Sequence, residues 1–320
     1  MNELKVERGK WKVNQDRYGA TFLFPLSSFH LKAKLSIIIP THERAEILAR
    51  CLHHLATQTI VKDLEVIVVS DGHDEATAQL FEKDDLPLAI CDLRFIEIAK
   101  SQQGIARNVG VKHATAPCVL FIGDDIFLES HACETHLQTH KWQIANGQWQ
   151  MAILGYTTWD PSVGITPVMR WLEESGWQFG YPLLKGYEHK AIPKEMQHRF
   201  TYTSHISLPT EIAKKYPFRE DVTLYGWEDI EWGSRLRDAG IPLIFEPDAR
   251  ALHHHQITLE SSLRRMEILG ESAVKMEKLL PGFDRLPRGW KRTAYQLSAL
   301  LPTMAGRHRR AFLNGIRMTQ

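Results

Sequence analysis

From residue 35 to residue 122 the chain alternates short apolar runs with stretches of helical periodicity. LSIIIP (35–40) reads as a strand stopped by Pro40, and residues 43–56 repeat Ile47, Leu48, Cys51, Leu52 and Leu55 at helical spacing. DLEVIVVSDG (63–72) and RFIEIA (94–99) read as further strands, a helix is expected over 103–114, and CVLFIG (118–123) is a fourth strand. The runs are continuous rather than alternating, as in strands covered on both faces. Strands alternating with helices predict an α/β fold with a mostly parallel sheet. Right-handed crossovers then gather the strand ends along one edge.

The second half has a different texture. WQMAILGYTTW (149–159) reads as a strand, and a long irregular stretch rich in Trp, Tyr, Gly and Pro follows to about residue 200. Loops of that length are mostly functional or disordered, and the aromatic content argues against disorder. GWEDIEWGSRLRDAG (226–240) reads as a helix with acids in its first turn and Gly240 as its stop. IPLIFEP (241–247) is a strand, ALHHHQ (251–256) follows it, and residues 258–280 form an amphipathic helix. The expected layout is an N-terminal extension over 1–33, a domain over 34–257 with halves at 34–128 and 129–257, and a helical, basic extension over 258–320.

Composition adds little until charge is located. The chain has 320 residues, and its 43% hydrophobic and 24% charged content is that of a water-soluble globular protein. A formal net charge of +1 gives no reason to expect nucleic acid. From Arg285 onward, however, there are eight Arg and Lys and no acid, so that removing this +8 from +1 leaves −7 for the rest. Such a tail suits a surface or partner contact, with an anionic membrane face as the expected one. The alternative is that Leu297, Leu300 and Leu301 pack back on the domain. Cys51, Cys91, Cys118 and Cys133 lack any metal or disulfide spacing and read as buried thiols of a reducing compartment. The N-terminus has no apolar signal core, and no run approaches the roughly 18 apolar residues of a membrane span. The cytoplasm is the expected location, with the inner membrane face as the place of any peripheral contact.

Candidate chemistry sits at strand ends. Asp71 ends one strand and the pair Asp124-Asp125 ends another, where open α/β sheets bind ligands. Two adjacent carboxylates call for a cation or protons between them, although Gly-Asp-Asp is also ordinary turn chemistry. A histidine of His253, His254 and His255 would complete an oxygen and nitrogen site for Mn²⁺ or Mg²⁺; taken alone, the triplet reads more simply as a solvated loop. His253 and His255 alternate and would share one side of an extended strand. Glu228, Asp229 and Glu231 suit a helix N-terminus at about 0.3–1 kcal/mol each without catalysis. The lead-in Tyr225-Gly226-Trp227 would set them against an apolar wall, as for a general base. There is no Gly-x-Gly-x-x-Gly after the first strand, no Walker Lys and no Gly-x-Ser-x-Gly elbow.

In order, SIIIPTHER, VVSDG, GIARNVGVKHA, FIGDDIFLE and YGWEDIEWGSRL resemble the motifs of the family 2 glycosyltransferases, from about Leu35 to His255. The resemblance implies a GT-A fold, a Rossmann-like nucleotide-diphospho-sugar transferase sheet, and an inverting transfer from a nucleotide-diphosphate sugar to a glycan or lipid-linked hydroxyl. By position, Asp71 would bind the base, and Pro40, Thr41, Glu43, Arg44, Arg107, Asn108 and Asp124 would lie on the donor side. Asp125 would be the main metal ligand, with His253 or His255 completing the shell. Asp229 would be the base, with Glu228 beside it and Trp227 on the acceptor side. Two departures stand out: Gly123 replaces the first acid of the family's DxD motif, and His205 stands near a position often held by Asn. Acceptor choice is expected in the aromatic stretch 159–200. A nucleotidyltransferase would use similar aspartates but needs a Gly-rich, basic loop after the first strand, and THERAE is not one. A non-catalytic sugar-nucleotide-binding relative would lack the base, whereas Glu228-Asp229 is intact.

Overall fold

Every residue of the strands β3 (Leu35–Thr41) and β4 (Leu64–Asp71) is buried. Ile38, Ile67 and Val69 face an apolar layer that includes Phe121, Phe218 and Trp232. Ile37, Ile39, Val66 and Val68 face the opposite layer with Leu48, Leu52 and Phe81. Cover on both faces is why these runs show no polar alternation. The computed structural model describes residues 11–15, 21–25, 33–82, 92–222, 226–280 and 282–319. Cys91 and Tyr225 lie outside them, while Cys51, Cys118 and Cys133 are free, buried thiols.

β3 pairs in parallel with β4 and with β6 (Cys118–Ile122), and β4 pairs in parallel with β5 (Asp92–Ile98). Helices α1 (Ala45–Ala56), α2 (Glu75–Glu82) and α3 (Gln103–His113) make the crossovers. The carboxyl ends of β3, β4 and β6 therefore share one edge. β1 (Trp11–Gln15) and β2 (Thr21–Pro25), within the stretch expected as an extension, add antiparallel to β5.

The second half extends the same sheet with mixed pairing. It runs through β7 (Ile126–Leu128), α4 (Ala132–Ala145), β8 (Ala152–Trp159), α5 (Pro167–Glu174), β9 (Lys190–Ala191) and α6 (Lys194–Gln197). It continues with β10 (His205–Pro209), α7 (Thr210–Lys215), α8 (Glu228–Asp238) and β11 (Leu243–His253). β10 lies antiparallel between β6 and β8, and β11 runs parallel to β8 and antiparallel to β7. Three helices close the chain: α9 (Leu259–Leu279), α10 (Trp290–Ala299) and α11 (Met304–Met318).

A polar cluster holds α4 to the sheet. Ser207 Oγ lies 2.8 Å from His136 Nδ1 and 2.9 Å from His140 Nε2, and His136 Nε2 lies 3.2 Å from His205 Nε2. All three histidines are buried, and Gly155 leaves room for the His205 ring, which a Cβ there would meet at 2.2 Å. Burial pushes the His140 pKa from 6.5 down to about 4. The unfolded chain then takes up a proton below pH 6.5 that the fold refuses until about pH 4, so acid weakens the fold across that window. Relative to His140→Gln, the wild type is expected to lose about 1.4 kcal/mol per pH unit there. Urea titrations of both proteins across the window measure it, and parallel curves would contradict a neutral His140.

Candidate active site

The turn after β3 is folded to aim one cation at two acids. Glu43 adopts φ +53°, and its N–H donates to Asp74 Oδ2 at 2.7 Å while its side chain points largely to solvent. Arg44 is thereby turned back onto the end of β6, where Nη1 donates to Asp124 Oδ1 at 2.8 Å and Nη2 to Asp125 Oδ2 at 2.9 Å. Thr41 Oγ1 donates to Asp124 Oδ2 at 2.8 Å. Burial and the neighbouring Asp125 still push the Asp124 pKa up to about 6, against the pull of Arg44 and Thr41. Burial also acts upward on Asp125, but His253 and Arg44 outweigh it and hold this carboxyl well below the usual range. Gly123 has a steric reason: a Cβ there would lie 2.9 Å from Asp125 Oδ1.

The end of β11 brings imidazoles to the same carboxylate. His253 Nε2 lies 3.4 Å and His255 Nδ1 3.7 Å from Asp125 Oδ2, and the ligand atoms of these three residues fall within 4.8 Å of one another. The intervening His254 faces the other way, as alternation requires. Its ring joins Asp160 Oδ2 at 2.6 Å and Arg50 Nη1 at 2.7 Å, and its N–H donates to the Asp125 carbonyl at 2.8 Å. Trp159 stacks on His253 at 5.2 Å and fixes the ring plane. One carboxylate and two imidazoles make a donor set that fits a divalent metal such as Mn²⁺.

These groups line a cavity of about 520 Å³, within the usual size of a small-molecule site. Pro40, Thr41, Arg44, Asp71 and Arg107 line it too. Asp71 Oδ1 accepts from the Ser101 N–H at 2.6 Å and its hydroxyl at 3.0 Å, with Lys100 Nζ 3.5 Å from Oδ2. Arg107 is 3% exposed, and its Nε and Nη1 have no hydrogen-bond partner among the described residues. Burial lowers its pKa against the opposing charges of Asp229 and Glu228. A buried guanidinium with spare donors beside a cavity is a receptor for an anion.

Asp229 and Glu228 adjoin this cavity without lining it. Thr203 Oγ1 donates to Asp229 Oδ1 at 2.7 Å, next to the lining residue Ser204. Glu228 accepts from the lining residue Gln103 and, at 2.9 Å, from the Gly226 N–H. Burial, then Glu228, raise the Asp229 pKa to about 6, with Arg107 opposing.

Three expected site residues have other work. Asn108 exchanges two 2.8 Å hydrogen bonds with the Phe218 backbone and does not line the cavity. Trp227 is buried against Phe283, with its indole N–H donating to Ser272 Oγ at 2.9 Å, so it presents no stacking face to an acceptor. Glu43 acts through its backbone, as above. Of the aromatic-rich stretch 159–200, only Gln178 lines the cavity. Tyr181 and Tyr202 pack on each other, and Trp171 and Trp177 pack on His308 of α11. His205 is part of the buried histidine cluster.

The missed wall is the start of α9. Ser261, Ser262 and Arg265 line the cavity, and Arg265 donates to Gln178 while its buried Nε has no partner among the described residues. Gly226 permits this closure: it sits at φ +91°, and a Cβ there would meet Leu269 Cδ2 at 2.4 Å. The only sequence signal was a Ser-Ser pair on the polar side of an amphipathic helix, which reads as solvated surface.

A family profile described as glycosyl transferase family 2 matches residues 36–198, just over half the chain. The chain belongs to glycosyl transferase family 2. Validoxylamine A glucosyltransferase of Streptomyces hygroscopicus subsp. jinggangensis is 27% identical over 278 residues, covering 82% of this chain and 64% of that protein. Pre-mycofactocin glycosyltransferase of Mycobacterium tuberculosis is 25% identical, covering 76% of this chain and 47% of that protein. The chain thus spans less than two thirds of these relatives' length. Among solved structures, a Pyrobaculum calidifontis mannosyltransferase in complex with GDP-Man and Mn²⁺ aligns with a TM-score of 0.53 at 15% identity, covering 92% of this chain and 77% of that one. Staphylococcus aureus TarS 1–349 in complex with UDP-GlcNAc gives 0.51 at 19% identity, covering 86% and 72%. At such identities the structures establish the shared fold, an α/β GT-A sheet with a helical C-terminal region. The family 2 match includes Asp71, Arg107, Asp124 and Asp125 but ends before Asp229, His253 and His255, so those three are placed by structure.

Proposed function

We propose that the chain is an inverting glycosyltransferase that moves a sugar from a nucleotide-diphosphate sugar to a hydroxyl of a glycan or lipid-linked acceptor, in the cytoplasm or at the inner membrane face. One observation carries the reading. A single cavity collects Asp71, the Asp125, His253 and His255 donor set, and guanidinium nitrogens of Arg107 and Arg265 that have no partner among the described residues. That combination suits a ligand with hydrogen-bonding groups at one end and a diphosphate at the other.

Asp125, His253 and His255 would hold Mn²⁺ or Mg²⁺, and two imidazoles favour Mn²⁺ over the oxygen-seeking Mg²⁺. When bound, such an ion acts as a Lewis acid on the departing diphosphate. Arg107 and Arg265 add fixed positive charge where the leaving group gains negative charge. Asp71 hydrogen-bonds the base. Asp229, held by Thr203, takes the acceptor hydroxyl proton on the face opposite the leaving group, which makes the transfer a single displacement with inversion. The nucleotidyltransferase alternative needs a free cation after the first strand for a triphosphate. Arg44 is instead committed to Asp124 and Asp125.

A thermal-shift screen of UDP, GDP, CDP and dTDP with and without Mn²⁺ tests the reading. One nucleotide should raise Tm by several degrees, since ligand at 100 times Kd adds about 2.7 kcal/mol, and more so with metal. The matching labelled nucleotide sugar should then hydrolyse slowly without acceptor. No shift with any nucleotide, or pyrophosphate release from a triphosphate with a sugar phosphate, would overturn it.

A further inference from the structure

The C-terminal helices divide into one that is packed and one that is not. α11 buries His308, Phe312, Leu313 and Ile316, and it touches α9 so closely that a Cβ at Gly315 would lie 1.9 Å from the Glu267 carbonyl. α10 turns only Tyr295, Ser298 and Ala299 inward. Its large apolar side chains face solvent: Trp290 is 77% exposed, Leu297 63%, and the following Leu300 and Leu301 73% and 53%. At 100° per residue, positions 290 and 297 fall within about 20° of one another on the helix, and Leu300 and Leu301 follow at its carboxyl end. Lys291 and Arg292, next to Trp290, and Arg307 of α11 are exposed and form no ion pair among the described residues. Arg288, by contrast, is paired with Glu277. A recess of about 230 Å³ adjoins the helix, with Leu286, Leu313 and Ile316 among its walls and Arg292 and Arg317 among its polar lining.

We infer that α10 docks this protein on an anionic bilayer surface, with Trp290, Leu297, Leu300 and Leu301 entering the headgroup region and Lys291, Arg292 and Arg307 meeting lipid phosphates. The occupant follows from charge. Eight cations and no acid lie between Arg285 and the last residue, so a second copy meeting the same face would bring like charges together. Glu277 and Asp284 lie nearby but are ion-paired, with Arg288 and with Arg199 and Arg285. The free charges around the exposed apolar patch are therefore cations among the described residues, which matches an interfacial helix. No described helix is long and apolar enough to cross a membrane, so the contact is at the surface. The sequence offered a whole tail at the membrane or a whole tail packed back; the structure assigns the first to α10 and the second to α11. The inference does not rest on the transferase reading, because vesicle binding is measured without turnover.

Co-sedimentation of the full-length protein with vesicles tests it. Deleting the tail would also remove α11 and uncover α9, so point variants are the sound choice. The wild type is expected to pellet with mixed phosphatidylglycerol and phosphatidylcholine vesicles at low salt, and to stay in solution with phosphatidylcholine alone or at high salt. Combined Trp290→Ser, Leu297→Ser and Leu300→Ser should lower the partition coefficient at least about tenfold with Tm unchanged. Lys291→Glu with Arg292→Glu should remove the preference for anionic vesicles. Wild type that stays in the supernatant with anionic vesicles overturns the inference. So does a serine variant that pellets like wild type, or a wild-type dimer that the serine variant converts to monomer.

Discussion

Asp229→Asn is expected to lower kcat by about 10²–10⁴ while leaving donor affinity nearly unchanged. The substitution keeps shape, and the Thr203 hydroxyl still has an oxygen to donate to at the position now 2.7 Å away. What is lost is basicity. Burial and Glu228 raise the Asp229 pKa to about 6, so the carboxylate is mostly ionised at neutral pH yet basic enough to accept a hydroxyl proton. The sign is fixed by this: the active form is the deprotonated one, so activity should rise through about pH 6 and level off above it. In Asp229→Asn that acid limb should vanish together with most of the rate. Glu228→Gln is the control, because Glu228 is held by Gln103 and the Gly226 N–H and acts on Asp229 mainly as a neighbouring charge. It should shift the acid limb to lower pH and cost less rate. If Glu228→Gln is the more damaging change, the two roles are exchanged; if both variants stay active, these acids serve only the start of α8.

The parts legible in the sequence were those whose physics is local. Buried parallel strands announce themselves as apolar runs, and β3, β4, β5 and β6 lie within two residues of where those runs stand. The acids at their ends meet because parallel topology puts carboxyl ends on one edge. Other elements were hidden for identifiable reasons. α4 has no apolar stripe because its inward face carries His136, His140 and Gln143, of which the two histidines meet Ser207. β10 reads as polar because its histidine and serine belong to that same cluster. β11 read as two pieces because of Pro247, which in fact sits at the register shift between Glu246 and Arg250, where no ladder bond is required. Trp227 shows that an aromatic beside an acidic motif does not reveal which way it points. The α9 wall was invisible because a polar face turned to a cavity looks like one turned to water.

Asp125→Asn is expected to remove at least about 10³ of the metal-dependent rate, since a Lewis acid on the leaving group contributes several kcal/mol. Asp125 is the one carboxylate in the group of three, and both imidazoles face its Oδ2. Asp124 is poorly placed to replace it: both its oxygens are taken by Arg44 and Thr41, and burial raises its pKa to about 6. Gly123 supplies no carboxylate either, and the space a side chain would need is filled by Asp125 itself. The variant should therefore lose the Mn²⁺-dependent increment of nucleotide binding in a thermal-shift titration while keeping the metal-independent part contributed by Asp71. Wild type treated with excess EDTA should behave in the same way and recover when Mn²⁺ is restored, whereas Asp125→Asn should not. Asp124→Ala separates the two aspartates: it frees Thr41 and Nη1 of Arg44, whose Nη2 stays on Asp125, and leaves all three donor atoms, so metal binding should persist with a smaller loss of rate. Full activity of the wild type in EDTA would assign the charge on the departing diphosphate to Arg107 and Arg265 alone.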